Sequence, residues 1–486
     1  MKYSYCLLFL FLFSCKKDVT TEVVTTPIEN TVIKKDTVIK KDTVNVFMGY
    51  KVDPNAKRLG PSYWKQVPVL CDIIASYFHK IQPEHTHIGN AMNSVSGDFN
   101  GDGYIDVFCP GKIYAGSIDN DVGFLIWNQT TKIFEYKNLF NDKSQMSIII
   151  NASKVIPLYL NNDNYVDLII FGFIDEGISN FYSLENIQKY SKPVSLAISD
   201  GNGGYDLKPI KTEESVFWHT GGDVGDLNGD GIVDLVINYG PMMRIMWGIN
   251  EYPYFTNENS ATFNNNPEIK WVNNNGFGEE CKECTYDAGD CLIADMNNDG
   301  QNDLIVSSAE DLYSSELGPK IPKVLINQGK GKFNKNSIIK LPFYGDGTNK
   351  PIYNQTDFAV EDINNDGKKD IIVLNHGNYV TWNFYVLFQQ SNNTYMVDKN
   401  TFLYTINDTR LIKDWKPKLI FSDFNGDGKK DISYYDGVLG DINRIDDPLN
   451  IMIKKRSVFI RKNNQYVEED IYQYDSYMKS LLYKVK

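Results

Sequence analysis

Short apolar runs separated by polar turns fill the chain from about residue 90 to its end. Runs such as Asp234-Leu-Val-Ile and Asp370-Ile-Ile-Val begin with a carboxylate and continue with β-branched residues. Other short apolar segments, such as Phe358-Ala-Val and Leu419-Ile-Phe, come shortly before them. Runs of this length, bounded by Gly, Asn and Asp, are typical of β-strands. The pattern therefore predicts an all-β fold.

A nine-residue polar motif lies between these strands and occurs six times, starting at residues 98, 159, 226, 295, 362 and 423. The copies are 61 to 69 residues apart. Each unit also contains a second strand pair, in which an apolar strand meets a polar turn and then an aromatic residue, as in Phe124 to Phe134 and Tyr385 to Tyr395. Four strands in a repeated unit match one propeller blade. The sequence predicts a β-propeller of six or seven four-stranded blades over residues 90–486.

Oxygen-bearing residues occupy alternate positions of the motif. Side-chain oxygens at positions 1, 3, 5 and 9, with a backbone carbonyl at position 7, form the oxygen-only ligand set that Ca²⁺ prefers. Positions 4 and 6 hold Gly or Asn, which best tolerate a left-handed turn, and position 2 is always apolar and is expected to be buried. We therefore predict calcium-binding loops and Ca²⁺ as the cofactor. The predicted ligands are Asp98, Asn100, Asp102, Tyr104, Asp106, Asn161, Asp163, Asp167, Asp226, Asn228, Asp230, Ile232, Asp234, Asp295, Asn297, Asp299, Gln301, Asp303, Asp362, Asn364, Asp366, Lys368, Asp370, Asp423, Asn425, Asp427, Lys429 and Asp431.

Electrostatic repulsion favours a bound cation in most of these loops. Two carboxylates about 4 Å apart repel by roughly 4 kcal/mol at an effective dielectric constant of about 20. The second copy differs, because Tyr159 stands where the other copies have Asp. We predict that this site is weak or empty. Sites repeated in every blade are expected to stabilise the fold rather than to catalyse a reaction.

These loops and their spacing resemble the FG-GAP or VCBS repeats found in the N-terminal propeller of integrin α subunits. The resemblance covers roughly residues 90–486. It implies a closed propeller with the calcium loops on one rim, each loop joining the inner two strands of a blade. The integrin propeller has seven blades, and a seventh would have to come from residues 47–89, where no loop motif occurs. This N-terminal segment can equally form an amphipathic helix over Trp64 to Lys80, so helix and closing strands both stay open.

The first residues are typical of an export signal. Residues 1–14 combine Lys2 with a short apolar core, and Leu12-Phe13-Ser14-Cys15 resembles a bacterial lipobox. The resemblance implies cleavage before Cys15 and lipid attachment to its thiol; an ordinary cleaved signal is the alternative. Residues 15–46 are Thr-rich and charged, with a repeated Thr-Val-Ile-Lys-Lys-Asp, and predict a flexible tether. We expect a bacterial outer-membrane lipoprotein, exposed at the cell surface or facing the periplasm.

Charge and composition reduce the number of functions that the chain is expected to have. With 49 basic and 62 acidic residues the net charge is −13, which disfavours nucleic acid as a partner. The sequence contains no metalloprotease, phosphate-loop or hydrolase-elbow motif. His87, Trp218 and His219 are the candidate ligand-binding residues, expected near the start of inner strands, with local hydrogen bonding at strand ends as the alternative. Cys281, Cys284 and Cys291 could form a local disulfide or hold a metal, and their role is left open.

The predicted function is a surface-anchored binding module that recognises a glycan or protein ligand with its rim loops, the scaffold being stabilised by calcium. A polysaccharide lyase or hydrolase built on the propeller is one alternative. A structural partner in cell-envelope assembly is another. The absence of a catalytic motif favours a binding or structural role over an enzyme.

Overall fold

A computed structural model describes most of the predicted propeller and a short segment before it. It describes residues 48–65, 93–110, 122–144, 149, 152–161, 163–172, 193–210, 219–239, 242–256, 271–272, 276–277, 288–308, 322–333, 337–342, 356–377, 381–397, 403–406, 418–435, 457–463, 465–470 and 473–474. The predicted signal peptide, Cys15 and the tether lie outside these residues. Within the described part of the chain, no helix has the length and hydropathy needed to cross a membrane.

In the described residues, six antiparallel sheets follow one another along the chain; each contains four consecutive strands, and one of them has a fifth. We number these blades 1 to 6. The strands of blades 1 to 3 are β1 (Val95–Gly97), β2 (Asp106–Cys109), β3 (Gly123–Asn128) and β4 (Ile133–Lys137); β5 (Ala152–Leu158), β6 (Asp167–Gly172), β7 (Val194–Ser199) and β8 (Tyr205–Pro209); and β9 (His219–Gly225), β10 (Asp234–Tyr239), β11 (Met242–Gly248) and β12 (Phe255–Thr256).

The remaining strands complete the ring and add two small elements to it. A two-stranded pair, β13 (Trp271–Val272) and β14 (Gly276–Phe277), precedes blade 4, and β23 (Leu403–Ile406) pairs with the third strand of blade 5. The strands of blades 4 to 6 are β15 (Ala288–Ala294), β16 (Asp303–Ser308), β17 (Lys323–Leu325) and β18 (Ile338–Lys340); β19 (Thr356–Glu361), β20 (Asp370–Gly377), β21 (Thr381–Gln389) and β22 (Tyr395–Val397); and β24 (Lys418–Ser422), β25 (Asp431–Tyr435), β26 (Ser457–Lys462) and β27 (Gln465–Asp470).

The second strand of a blade is apolar on both faces because it lies between two neighbouring blades. In β6 every residue is buried. Leu168 and Ile170 pack in the cluster shared with blade 1, whereas Ile169 and Phe171 pack in the cluster shared with blade 3. Successive side chains of a strand point to opposite faces, so a strand buried on both faces reads as a continuous apolar run.

The hydrophobic core therefore lies between the blades and continues around the ring. Separate clusters join blades 2 and 3, 3 and 4, 4 and 5, and 5 and 6. A larger cluster joins blade 1 to both blade 2 and blade 6, and it contains Phe424 and Val458 of blade 6. The first strands of successive blades contact one another from β1 to β24 and form the inner wall.

An N-terminal arm, residues 48–65, precedes the ring and packs on it. The arm contains two short helices, α1 (Ala56–Leu59) and α2 (Pro61–Lys65). A β-bridge joins Lys51 to Tyr104 of blade 1, and α2 contacts β5 and β24. Trp64 of α2 is buried in the cluster of blades 1, 2 and 6.

The structure decides the number of blades. Six four-stranded sheets are present in the described residues, and the described part of the N-terminal segment forms helices instead of a further sheet. The predicted all-β propeller is confirmed with six blades, and the seven-blade alternative is wrong.

Candidate functional site

Each nine-residue loop joins the first and second strands of its blade, as predicted. Its ninth residue is the first residue of the second strand, from Asp106 in β2 to Asp431 in β25. We number the loops 1 to 6 with their blades. Position 4 is left-handed wherever it is described; Gly101 has φ 72° and Asn365 has φ 59°. The predicted need for Gly or Asn at this position is confirmed, because few other residues adopt this conformation without strain.

The acidic side chains of a loop fold its backbone around themselves. In loop 3, the Asp226 carboxylate accepts the N–H groups of Asp230 at 3.2 Å and Gly231 at 2.8 Å. Asn228 Oδ1 accepts the Asp230 N–H at 2.8 Å, and Asp230 Oδ1 accepts the Ile232 N–H at 2.8 Å. Loops 1, 4, 5 and 6 repeat this network. The side-chain oxygens of positions 1, 3 and 5 are thereby held together on the exposed side of the loop.

The ninth-position carboxylate has a different role, which sequence reasoning missed. One of its oxygens accepts the N–H of position 2, and the other accepts an N–H that lies in the third strand or just after it. Asp303, for example, accepts the Met296 N–H and the Asn327 N–H, both at 2.8 Å. The same pair of bonds occurs in all six blades. This carboxylate ties the loop to the middle of the sheet.

Burial and mutual repulsion disfavour the charged form of these carboxylates. Burial raises the pKa of Asp234 to about 6, against the opposing amide bonds, and the nearby carboxylates of Asp230 and Asp226 add to the increase. The pKa of Asp303 rises to about 6 for the same reasons, with Asp299 and Asp295 as its neighbours. A cation at the loop would offset this concentration of negative charge.

Loop 2 departs from the other five. Tyr159 provides no carboxylate at position 1, and Asn164 at position 6 is not among the described residues with positive φ, whereas the equivalent glycines are. Position 2 is buried in the other loops, as predicted, but Leu160 is only partly buried. The loop keeps the ninth-position bonds through Asp167, which accepts the Leu160 N–H at 2.7 Å.

The predicted ligands at positions 1, 3 and 5 are thus close together in loops 1, 3, 4, 5 and 6, whereas the other candidates do not form a described site. His87 and Trp218 lie outside the described residues, as does the side chain of His219, although His219 does begin the first strand of blade 3. Cys291 is a free, buried thiol and forms no disulfide. Cys281 and Cys284 lie outside the described part. Within that part, no group of three or more His, Cys, Asp or Glu side chains is arranged to hold a metal ion.

An ionic cluster lies on the inner wall of the ring and was not predicted. We call Lys65, Lys154, Asp223, Asp290 and Asp357 the axial cluster. Lys154 Nζ of blade 2 lies 2.8 Å from Asp290 Oδ1 of blade 4, which also accepts the Gly222 N–H of blade 3. Lys65 of the arm pairs with Asp223, whose carboxylate accepts the Ile293 N–H at 2.8 Å.

The axial cluster did leave a signal in the sequence. Lys154, Asp290 and Asp357 all lie five residues before the start of their loops. This common register places them at one level of the inner strands, where side chains of different blades meet.

An exposed aromatic residue lies where blades 2 and 3 meet. Tyr252, in the turn between β11 and β12, is 57% exposed. Lys208 Nζ of β8 lies 4.8 Å from its ring centroid, and the Tyr254 ring packs edge-on at 6.2 Å. Trp127 and Trp247 are buried and cannot stack on a ligand.

Comparison with known proteins agrees with the blade architecture. The fold is that of a six-blade β-propeller, and residues 295–373 match the family model described as FG-GAP-like repeat. This stretch runs from the start of loop 4 into the second strand of blade 5. The chain therefore contains an FG-GAP-like repeat, and the predicted resemblance is confirmed there. No curated protein sequence matches the chain.

One solved structure that matches is a lectin from Agrocybe aegerita, whose title describes specific recognition of non-reducing terminal N-acetylglucosamine. The two chains are 14% identical, with a TM-score of 0.43; the match covers 78% of this chain and 79% of the lectin. A likeness at this level assigns neither a ligand nor an activity to this chain.

Proposed function

We propose that this chain is a calcium-stabilised propeller that binds a glycan or protein ligand, anchored to the bacterial outer membrane through a lipid on Cys15. The observation that carries the binding role is the repeated architecture. Six sheets are joined by continuous apolar clusters and fastened by the same buried carboxylate in every blade. Such a ring is a rigid scaffold, and the turns between its third and fourth strands differ in sequence from blade to blade.

Calcium fits the donor set of five loops. Positions 1, 3 and 5 offer carboxylate and amide oxygens and position 7 offers a carbonyl, while the position 9 carboxylate, which already accepts two N–H groups, adds its negative charge nearby. The left-handed residues and the loop hydrogen bonds already hold positions 1, 3 and 5 in place. A bound Ca²⁺ would neutralise the crowded carboxylates and thereby stabilise the ring.

Tyr252 is the ligand contact that the exposed surface favours. An aromatic ring offers an apolar face to a sugar ring or to an apolar side chain of a protein. Lys208 and Asp206 lie 3.7 Å apart beside it and provide a donor and an acceptor for hydroxyl groups. An aromatic face next to a few polar groups is a usual composition of a recognition surface.

A binding screen tests the proposal. The full-length chain, purified in detergent, is applied to glycan and polysaccharide arrays in Ca²⁺ and again in EDTA. We expect calcium-dependent binding to a defined polymer, with no shortening of that polymer on incubation. Tyr252→Ala should weaken binding at least about tenfold, whereas Met396→Ala, which removes an equally exposed side chain from blade 5, should not.

Two results would redirect the proposal. If a chain that is folded in Ca²⁺ binds no glycan, the ligand is a protein, to be sought by cross-linking in the cell envelope. If the bound polymer is cleaved, the chain is an enzyme. Radiolabelled palmitate that enters the wild-type chain but not Cys15→Ser would support the lipid anchor.

A further inference from the structure

Loop 2 lacks the parts that the other loops use to surround a cation. In loop 3 the position 1 carboxylate accepts three loop N–H groups, whereas Tyr159 has no acceptor of that kind. Asn164 replaces the left-handed Gly of position 6. Loop 2 is nevertheless folded, with Asp163 accepting the Tyr165 N–H at 2.9 Å. Another group must therefore compensate for the missing ligand.

That group comes from the N-terminal arm. Lys57 of α1 donates from Nζ to the Asp163 carbonyl oxygen at 2.7 Å, across 106 residues of sequence. The same Nζ lies 5.9 Å from the centroid of the Tyr159 ring, within the range of a cation–π contact. An ammonium group thus contacts both the residue that replaces the first ligand and the residue at position 5.

The arm holds Lys57 at this place through contacts on both sides of it. Before Lys57, the Val52 N–H donates to the Gly103 carbonyl at 3.0 Å, and the Ile105 N–H donates to the Tyr50 carbonyl at 2.8 Å. After Lys57, the ring of buried Trp64 lies 6.2 Å from the ring of Tyr159. Tyr159 therefore serves as a packing partner for the arm as well as a ring beneath its ammonium.

Loop 2 with the Lys57 ammonium group has the same net charge as another loop with a bound calcium ion. A loop with three carboxylates and one Ca²⁺ carries one net negative charge. Loop 2 has two carboxylates, Asp163 and Asp167, and with the ammonium of Lys57 it also carries one net negative charge. Lys368 contacts Asp366 of loop 5 at 2.8 Å, but that loop retains its position 1 carboxylate, Asp362.

We propose that the ammonium group of Lys57 takes the place of calcium in loop 2. The chain then binds five calcium ions, one in each of loops 1, 3, 4, 5 and 6. This inference rests on the proposed calcium binding of the other five loops. Lys57 is exposed, so its contacts with loop 2 add little to global stability.

Calcium stoichiometry is the first test, and it needs no variant. The full-length chain is stripped with EDTA and dialysed against ⁴⁵Ca²⁺ at rising concentration. We expect binding to saturate at five ions per chain. Saturation at six would overturn the inference and leave the calcium proposal intact. If no calcium binds, the calcium proposal fails, and the inference fails with it.

A gain-of-site experiment tests the role of Lys57 itself. Tyr159→Asp with Asn164→Gly restores the loop motif and should raise the stoichiometry to six. Adding Lys57→Ala should then tighten the sixth site about tenfold, because the competing positive charge is removed. Adding Lys51→Ala, which removes an exposed lysine of the same arm, is the matched control and should leave the affinity unchanged. Equal effects of the two lysine substitutions would overturn the inference.

Discussion

At the scale of single residues, the loop motif contains two kinds of aspartate. The aspartate at position 9 bonds to the backbone inside the sheet, whereas those at positions 1 and 5 are the predicted calcium ligands. Asp303 is buried and accepts two backbone N–H groups, whereas Asp299 of the same loop is exposed. Unpaired buried donors cost more than a lost surface contact. The motif therefore combines a carboxylate that accepts hydrogen bonds inside the sheet with a set of predicted calcium ligands outside it.

Replacing Asp303 by Ala should lower the free energy of unfolding in EDTA by about 1–3 kcal/mol, because two buried N–H groups lose their acceptor and relief of a buried charge offsets only part of that loss. Asp299→Ala is the control and should leave the stability in EDTA unchanged. In calcium, Asp299→Ala should lose part of the metal-dependent stabilisation. Urea unfolding in both buffers measures these effects, and equal losses for the two variants in EDTA would contradict the distinction.

Asp357 of the axial cluster should make stability depend on pH. Burial raises its pKa, as does Asp290, while Lys154 opposes the increase. A carboxyl whose pKa is higher in the folded state stabilises the fold below its unfolded pKa of about 3.9, and this contribution is lost as the pH rises through the folded value. Asp357→Asn does not titrate, so its stability relative to wild type should increase from pH 4 to pH 7. Urea unfolding at four pH values in EDTA tests this, and a constant difference would rule it out.

At the scale of elements, the fourth strands of blades 2, 3 and 5 each begin with an aromatic residue that lies in the apolar cluster shared with the preceding blade. Tyr205, the first residue of β8, stacks on Phe124 of blade 1 at 5.0 Å, and its hydroxyl group donates to the carbonyl oxygens of Phe99 and Val166 at 3.1 and 2.9 Å. Tyr395 begins β22 in the same way, but its buried hydroxyl has no partner among the described residues. Tyr205 and Tyr395 occupy equivalent positions, but only the hydroxyl group of Tyr205 forms hydrogen bonds to described residues.

This difference predicts opposite results for one chemical change. Tyr205→Phe should lower the free energy of unfolding by about 1–2 kcal/mol, because two carbonyl groups in the core lose a donor. Tyr395→Phe should be neutral or slightly stabilising, because it removes a buried hydroxyl without a partner. Thermal and urea unfolding of the two variants provide the comparison. A larger loss for Tyr395→Phe than for Tyr205→Phe would contradict it.

Much of this element-level architecture was predictable from the sequence. The six loops, their place between two strands and the second strand pair from Phe124 to Phe134 follow from apolar runs and turn residues, because these features depend on local sequence. The family resemblance adds that the two strands are the inner pair of a blade. The role of Asp303 was not predictable, since Asn327, its partner just after the third strand, is 24 residues away. The contact of Lys57 with loop 2 spans 106 residues and leaves no local pattern.

At the scale of the whole molecule, the arm and the ring are joined by charge as well as by apolar packing. The carboxylate of Asp223 is fully buried, and Lys65, about one third exposed, pairs with it. Trp64 packs beside this pair in the core of blades 1, 2 and 6. A buried carboxylate without a neighbouring cation lowers the free energy of unfolding. Because Lys65 of the arm provides this cation, the arm contributes to the stability of the inner wall.

Lys65→Met should therefore destabilise the ring by about 1–3 kcal/mol, less than for a fully buried pair because Lys65 is partly in solvent. Arg58→Met removes an exposed cation from the same arm and should have no measurable effect. Combining Lys65→Met with Asp223→Asn should recover part of the loss, as no charge then remains unpaired. Hydrogen exchange of β9 and chemical unfolding test these statements, and equal effects of Lys65→Met and Arg58→Met would disprove them.

The order of the strands also determines how the ring can assemble. Each sheet consists of four consecutive strands, so most of its hydrogen bonds join residues close in sequence. Contacts of this kind form quickly, and a blade can become ordered before the next has left the ribosome. Closure is different, because Phe424 and Val458 must meet Phe99 and Phe108 across more than 300 residues. The junction of blades 6 and 1 is thus the slow, late step of folding, and it is where an unfinished chain exposes apolar surface to chaperones.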